Sequence, residues 1–323
     1  RVFITDKCDA LIPSYLRFIK GLVDTQDIDL NVSREMLQNN PAVAKISKSL
    51  VGKILRELKK VSEKNADGYK SFWKEYGAVL KEGLYEDAER KEALLDLCRF
   101  STNENDDPIS LSEYVEKMPE KQKDIYYISA ETKDQALASP HLEGFKSKKI
   151  PVLIMTDAID QFWLPMVGSF KEKKFTSITQ GQINLDDLDE KNKDKKKDDK
   201  NEKEKKDKEY VDLVAQLKVV LGDQVKDIRL SSKLTDSPVC LVADEGDMDI
   251  AMEQLMAQRD TNYKGAPRIL EINGDHSLIK NMKSLLSKKE NNDLVSDAGT
   301  LLFEQARLMA VSYTHLRAHE TVE

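Results

Sequence analysis

A run of 21 residues without a single apolar side chain occupies positions 189–209. It contains ten lysines, nine aspartates or glutamates and two asparagines. This composition offers too little apolar surface to offset the conformational entropy that is lost when a chain becomes ordered. We therefore predict a flexible or loosely helical charged linker at 186–209, with a folded part on each side of it.

The residues before the linker form two predicted parts. Residues 1–108 are predicted to be mostly helical, because apolar residues recur every three or four positions at 43–61 and 69–80, and again over 15–23. The remaining part, 109–185, has a different pattern.

Residues 109–185 contain nearly continuous apolar runs at 124–129 and 150–156. Such runs are typical of strands covered on both faces. Short helical patterns alternate with them, which predicts a small α/β/α layer.

The part after the linker, 210–310, alternates helical and strand patterns and ends in helices. Apolar runs predict strands at 225–231, 237–243 and 268–273, and an apolar stripe predicts a long final helix at 293–309. The fold class expected for the whole chain is therefore multidomain, with α/β and α+β parts.

Composition argues against several classes of function. The net charge of −7 over 323 residues is unlike that of a nucleic-acid-binding protein. No apolar stretch approaches the roughly 20 residues of a membrane-spanning helix. Cys8, Cys98 and Cys240 are few and lack paired spacing, which favours reduced thiols and a cytoplasmic location.

Motifs for self-contained catalysis are also missing. The sequence has no phosphate-binding P-loop, no dinucleotide fingerprint and no nucleophile elbow. The only histidines with ligand-like spacing are His315 and His319, and we expect no metal site. The motifs alone therefore indicate that this chain is not a complete enzyme.

Arg34 and Gln38 form the first candidate site. Their four-residue spacing puts both on one face of a helix that Ser33 is placed to cap, where both can reach a phosphate. The alternative is a surface arginine near a helix start.

A methionine stripe forms the second candidate: Met248, Met252, Leu255 and Met256, which share one face of a predicted helix. Methionine is flexible and polarisable, so an exposed stripe suits a surface that binds many apolar partners. The alternative is that the stripe faces the core.

Phe162 and Trp163, followed by Pro165 and Met166, form the third candidate, shortly after the second predicted strand. Large apolar side chains at that position either cap the core or form an exposed patch.

Several long strings resemble, in order, the 90-kDa heat-shock protein chaperone family, and its bacterial branch most of all. They occur at 11–38, 69–87, 124–131, 139–162 and 226–248. The resemblance extends from residue 1 to about residue 309 and covers the middle and C-terminal domains of the family.

The resemblance implies an ATP-dependent chaperone that works as a homodimer on unfolded or partly folded client proteins. ATP and Mg²⁺ are bound mainly by an N-terminal domain that this sequence does not contain. Arg34 matches the family's middle-domain arginine that contacts the ATP γ-phosphate in the closed dimer, with Gln38 as its companion.

The resemblance also implies two surfaces. The client-binding positions are Phe162, Trp163, Met248, Met252, Leu255 and Met256. The dimerisation positions on the final helix are Leu294, Ala298, Leu301, Leu302, Gln305 and Leu308.

The resemblance also assigns domains and departures. The expected domains are the C-terminal part of the large middle subdomain with connecting helices (1–108), the small middle subdomain (109–185), the linker (186–209), a truncated client-binding and dimerisation domain (210–310) and a tail unlike the family (311–323). Without the nucleotide-binding domain, we expect no autonomous ATP hydrolysis and no cofactor on this chain alone.

Two other classes of function stay open at this point. One is a non-enzymatic scaffold whose helical end dimerises and whose methionine stripe is core. The other is an independent enzyme built on the small layer, for which no catalytic constellation is present.

Overall fold

A computed structural model describes residues 5–6, 8–26, 40–185, 196–259, 265–286 and 292–310, without the side chains of 196–206. Residue contacts divide the chain into two compact units. The first unit comprises 1–100, 107–116 and 159–172, and the second comprises 101–106, 117–158 and 173–323. Helices and mixed sheets together confirm the predicted α+β multidomain class. The domain boundaries assigned by resemblance stay a prediction.

The helices of the described residues are α1 Pro41–Lys64, α2 Ala66–Glu86, α3 Lys91–Leu97, α4 Leu111–Lys117, α5 Lys133–Leu137, α6 Glu143–Ser147, α7 Asp160–Val167, α8 Lys196–Leu221, α9 Ile250–Arg259, α10 Ser277–Leu286 and α11 Asn292–Ala310. The strands are β1 Arg99–Thr102, β2 Ile109–Ser110, β3 Ile125–Ser129, β4 Leu153–Met155, β5 Ser169–Phe170, β6 Lys173–Ser177, β7 Val225–Leu230, β8 Val239–Val242 and β9 Arg268–Ile272. None of these helices is long and apolar enough to cross a membrane.

The first unit is built on the long helices α1 and α2. Asn40 caps α1 by accepting a hydrogen bond from the backbone N–H of Ala42 at 2.8 Å, and Pro41 occupies the first helical position. The predicted three- and four-residue spacing is confirmed, and it buries Val43 and Val51. Helix α2 packs beside α1.

The helix predicted over 15–23 is wrong. Only a single 3₁₀ turn forms, at Ser14–Leu16, where Tyr15 donates a hydrogen bond from its hydroxyl to Asp87 at 2.7 Å. Leu22 is 91% exposed, so the apolar spacing beyond the turn does not mark a buried face. Gly21 also disfavours a helix there.

The second unit contains two sheets. In one, β3 lies parallel to β4 on one side and to β6 on the other, and Ser101 and Thr102 of β1 pair antiparallel with β4. In the other, β9 lies between the parallel β7 and the antiparallel β8, and it is buried along its whole length. The Glu143 carboxylate joins α6 to the loop before β8, because it accepts backbone hydrogen bonds from Thr235 and Asp236 at 2.8 and 2.9 Å.

The second half of the predicted linker is helical, which is one of the two forms expected for it. Helix α8 begins at Lys196 and continues without a break to Leu221, whereas 186–195 lie outside the described residues. Tyr210 and Leu217 are buried in the core of the second unit and fix the C-terminal half of this helix. Lysine and glutamate are good helix formers, so the helix extends back into the charged run.

Candidate functional site

Helix α9 carries the methionine stripe on an open surface. None of its residues is buried. Met248, just before the helix, is 40% exposed and Met256 is 38% exposed, while Met252 and Leu255 are half-buried. The stripe is therefore not part of the core.

Polar side chains of α9, and that of Asp249 directly before it, hold the helix in place. Asp249 accepts hydrogen bonds from the hydroxyls of Ser177 and Thr179, and Glu253 pairs with Arg268. Further along the helix, Gln254 donates to the backbone carbonyl of Ala310 and Gln258 donates to Glu131 at 3.0 Å.

These contacts depart from the usual amphipathic arrangement. Polar side chains of α9 bond to the protein, while Met248 and Met256 are exposed and Met252 and Leu255 are half-buried. An exposed apolar surface of this kind marks a binding surface more often than it marks a core element.

Trp163 requires a correction. Its side chain is 0% exposed, and its indole N–H donates to Asp160 at 2.7 Å. The Asp160 carboxylate in turn accepts hydrogen bonds from the Lys81 ammonium at 2.7 and 2.8 Å. Trp163 is therefore a buried structural residue and is not available to a client.

The helical period of α7 explains this placement. Asp160, Trp163, Leu164 and Val167 follow the spacing of a single helix face, and all four are buried. Phe162 and Met166 lie on the other side, where Met166 is 58% exposed and Phe162 is half-buried.

Tyr85 completes this second apolar surface and was missed by the sequence reasoning. Its exposed ring meets that of Phe162 edge to face, with 6.4 Å between the ring centroids. Its exposure could have been predicted from the helical period of α2. Leu80, Lys81 and Leu84 lie on the buried stripe, and Tyr85 lies beside that stripe. We call Tyr85, Phe162 and Met166 the aromatic patch.

Helix α11 has two apolar faces. The inner face packs into the core of the second unit through Val295, Gly299, Leu302, Phe303 and Ala306. Leu302 is therefore corrected from a dimerisation position to a core residue, since it is only 5% exposed.

The outer face of α11 carries the other predicted dimerisation positions. Leu294, Leu301 and Leu308 are 56%, 71% and 55% exposed, Gln305 is exposed and Ala298 is half-buried. These five positions repeat with alternating four- and three-residue spacing, which is the heptad pattern of helices that pack side by side. We call this set the leucine stripe.

Arg34 and Gln38 lie outside the described residues, as do His315 and His319. Within the described ranges, no group of three or more histidine, cysteine or acidic side chains has the geometry to hold a metal ion.

Comparison with known protein families shows to which family the chain belongs. The family model described as "Hsp90 protein" matches residues 1–317. The chain belongs to the Hsp90 family. The resemblance predicted from the sequence strings is confirmed, and the match includes the first seven residues of the segment that was expected to differ (311–323).

Curated relatives of this Hsp90 chain carry the name "Chaperone protein HtpG". The one from Roseobacter denitrificans is 45% identical over 310 residues, which cover 95% of this chain and 49% of the relative. The one from Paramagnetospirillum magneticum is 44% identical over 309 residues, covering 96% and 49%. That from Streptomyces coelicolor is 40% identical over 309 residues, covering 95% and 48%. The chain thus spans about half the length of the curated relatives it matches.

Proposed function

We propose that this Hsp90-family chain is the client-handling part of an ATP-dependent chaperone and binds unfolded or partly folded proteins through exposed apolar side chains. The observation that carries the proposal is helix α9, none of whose residues is buried: Met248 and Met256 of the methionine stripe are exposed, while Glu253 and Gln254 bond to the protein. The aromatic patch of the first unit is a second surface of the same kind.

Methionine suits this role for a physical reason. Its unbranched side chain adapts to apolar groups of many shapes, so one surface can accept many sequences with modest affinity. A scaffold would instead bind one folded partner, which makes the breadth of binding the property that separates the two classes.

Replacing Met248, Met252 and Met256 together by serine is expected to weaken client binding at least about tenfold. Full burial of even one methionine contributes about 1.5–3 kcal/mol, and a tenfold change in affinity corresponds to about 1.4 kcal/mol. The measurement is fluorescence anisotropy of labelled, reduced and carboxymethylated lactalbumin titrated with the chain. Far-UV circular dichroism checks that the variant stays folded.

A matched control is Leu22→Ser, which removes a 91% exposed apolar side chain outside both surfaces. It is expected to bind the probe like the unmodified chain. Equal binding by the triple methionine variant would reject α9 as the client surface and direct attention to the aromatic patch.

Homodimerisation is the second part of the proposal. The leucine stripe supports it, because three leucines at least half exposed recur every seven residues on a helix whose other face is already packed. Such a stripe matches a second copy of itself.

Leu301→Asp is expected to raise the dimer dissociation constant more than about tenfold, because it places a charge in the centre of the proposed apolar contact. Sedimentation velocity over a concentration series measures this. Val211→Asp, at an exposed position of α8, is the control and is expected to leave the dimer unchanged. A chain that is monomeric at the highest concentration tested would contradict the proposal.

The ATP-linked part of the function rests on the sequence match alone. We propose that Arg34, with Gln38, contacts the γ-phosphate of ATP held mainly by another domain of the whole protein, with Mg²⁺ bound at the same nucleotide. A planar cation at that position stabilises the charge that builds on the phosphoryl oxygens. We also propose a cytoplasmic location, on the odd and sparse cysteine count.

A further inference from the structure

The Asp249 carboxylate joins helix α9 to the turn that follows β6. One oxygen, Oδ1, accepts the backbone N–H of Ala251 at 2.9 Å and caps the helix. The other, Oδ2, accepts hydrogen bonds from the hydroxyls of Ser177 and Thr179 at 2.5 and 2.9 Å. Each oxygen therefore has a separate task, one toward the helix and one toward the sheet.

The two hydroxyls are oriented by their surroundings. Ser177 and Thr179 are 4% and 7% exposed, and their hydroxyl oxygens lie 2.8 Å apart. The backbone N–H of Thr179 also donates to the Ser177 hydroxyl at 3.3 Å. Hydrogen bonds from buried hydroxyls to a carboxylate are among the stronger ones in proteins.

A neighbouring tyrosine responds to the same charge. Burial, and after it the negative charge of Asp249, raises the pKa of Tyr127, so its phenol stays neutral beside the carboxylate. The Asp249 carboxylate thus lies at the base of α9 with the buried hydroxyls of Ser177 and Thr179 around it.

Two backbone carbonyls just before α9 are also held at the same end. Arg268 donates to the backbone carbonyl of Met248 at 2.7 Å, and Gln180 donates to that of Asp247 at 2.6 Å. No residue of the helix is fully buried, and Glu253, Gln254 and Gln258 make polar contacts further along it. Polar contacts therefore hold α9 along its length, and those of Asp249 hold its start.

We infer that Asp249 is a positioning residue for client binding: by tying the start of α9 to Ser177 and Thr179, it fixes the orientation in which the helix presents its methionine stripe. The inference rests on the proposed client-binding function. It follows that a client which binds the presented stripe strengthens the tie to the β6 turn, because coupling between two equilibria is reciprocal.

Asp249→Ser separates the two tasks of the carboxylate. Serine is a good helix cap, so the cap is kept, but its shorter side chain does not reach the two hydroxyls. The paired variant Ser177→Ala with Thr179→Val removes the hydroxyls and leaves Asp249 in place. Thr179→Ser keeps a hydroxyl at that position and is the conservative control.

The test combines hydrogen exchange of the α9 amides with anisotropy of the labelled lactalbumin probe. Asp249→Ser and the paired variant are both expected to speed exchange of the α9 amides at least about tenfold and to weaken probe binding about three- to tenfold. Thr179→Ser is expected to behave like the unmodified chain in both measurements. In the unmodified chain, the probe is expected to slow exchange in α9 and in the β6 turn.

The two possible failures can be told apart. If Asp249→Ser exchanges and binds like the unmodified chain, Asp249 is a helix cap only and the inference is overturned. If the unmodified chain does not bind the probe, the proposed client-binding function fails. The exchange rates of the variants then still decide whether the tie orients α9.

Discussion

Replacing Lys81 by methionine is expected to lower the free energy of unfolding of the first unit by about 3–5 kcal/mol. The Lys81 ammonium and the Asp160 carboxylate are both buried and lie 2.7 Å apart. Removing the lysine leaves a carboxylate without its counter-charge in a site that water does not reach. An uncompensated buried charge is among the largest single-residue penalties known.

The two tryptophans make this measurement selective. Trp73 and Trp163 both belong to the first unit, so tryptophan fluorescence, excited beyond the absorption band of tyrosine, reports on that unit during urea unfolding. The Trp163 indole donates to Asp160, which places one of the reporters within the affected cluster.

Two further variants test whether the loss of stability comes from the unpaired buried charge. Lys81→Met combined with Asp160→Asn removes both charges but keeps an oxygen that accepts the indole hydrogen bond, so it is expected to be more stable than Lys81→Met alone. Lys48→Met breaks a pair with Glu89 in which both side chains are 70% exposed, and is expected to change stability by less than about 0.5 kcal/mol. A loss below about 1 kcal/mol in Lys81→Met would show that the site admits water.

The cluster of Lys81, Asp160 and Trp163 also shows which features of the structure could be predicted from the sequence. Periodicity predicted α1, α2 and α11, because each buries a stripe that repeats with the helical period. Periodicity does not show which face of a short helix such as α7 is buried. The sequence left Trp163 either in the core or on an exposed patch, and the family resemblance placed it among the client-binding positions. Nothing in the sequence links it to Lys81, which is 82 positions earlier.

Which faces of α9 and α11 are exposed could not be predicted from the sequence for a related reason. The methionine stripe was recognised, but the contacts that hold α9 come from residues distant in sequence. Ser177 bonds Asp249 directly before the helix, and Arg268 pairs with Glu253. In α11, Leu301 and Leu302 are adjacent and equally apolar. Only the packing of α8 and the second sheet decides that Leu302 is inside and Leu301 outside.

The charged run shows a case in which composition left two forms open, a flexible or a helical segment. A segment without apolar residues cannot drive folding, but it can continue a helix that has been nucleated next to it. Tyr210, Leu213 and Leu217 supply that nucleus through burial in the second unit.

Lowering the pH from 7.5 to 5.5 is expected to reduce the free energy of unfolding of the second unit by about 1.4 kcal/mol through one side chain, His141. Burial, and after it the positive charge of Lys233, lowers the pKa of His141 from its ordinary value of 6.5 to about 3. A hydrogen bond to the backbone carbonyl of Leu241 opposes the shift only in part. The ring is therefore neutral in the folded protein throughout this range.

The direction follows from which state binds the proton first. Below pH 6.5 the exposed imidazole of the unfolded chain takes up a proton, while the folded one does not until the pH approaches 3. Protonation thus stabilises the unfolded state, and stability is lost at about 1.4 kcal/mol for each pH unit between 6.5 and 3. Measurements should stay above pH 5, where carboxylates do not yet contribute.

Urea unfolding at pH 7.5, 6.5 and 5.5, followed by far-UV circular dichroism, measures this slope, while tryptophan fluorescence follows the first unit separately. His141→Gln is expected to flatten the slope, because a glutamine amide can still donate to the Leu241 carbonyl but does not titrate. His276→Gln, in the turn before α10, is the control and is expected to retain the slope. If His141→Gln and the unmodified chain lose stability equally between pH 7.5 and 5.5, the acid sensitivity arises elsewhere. Equal slopes would mean that the His141 ring takes up a proton in the folded protein as readily as in the unfolded chain.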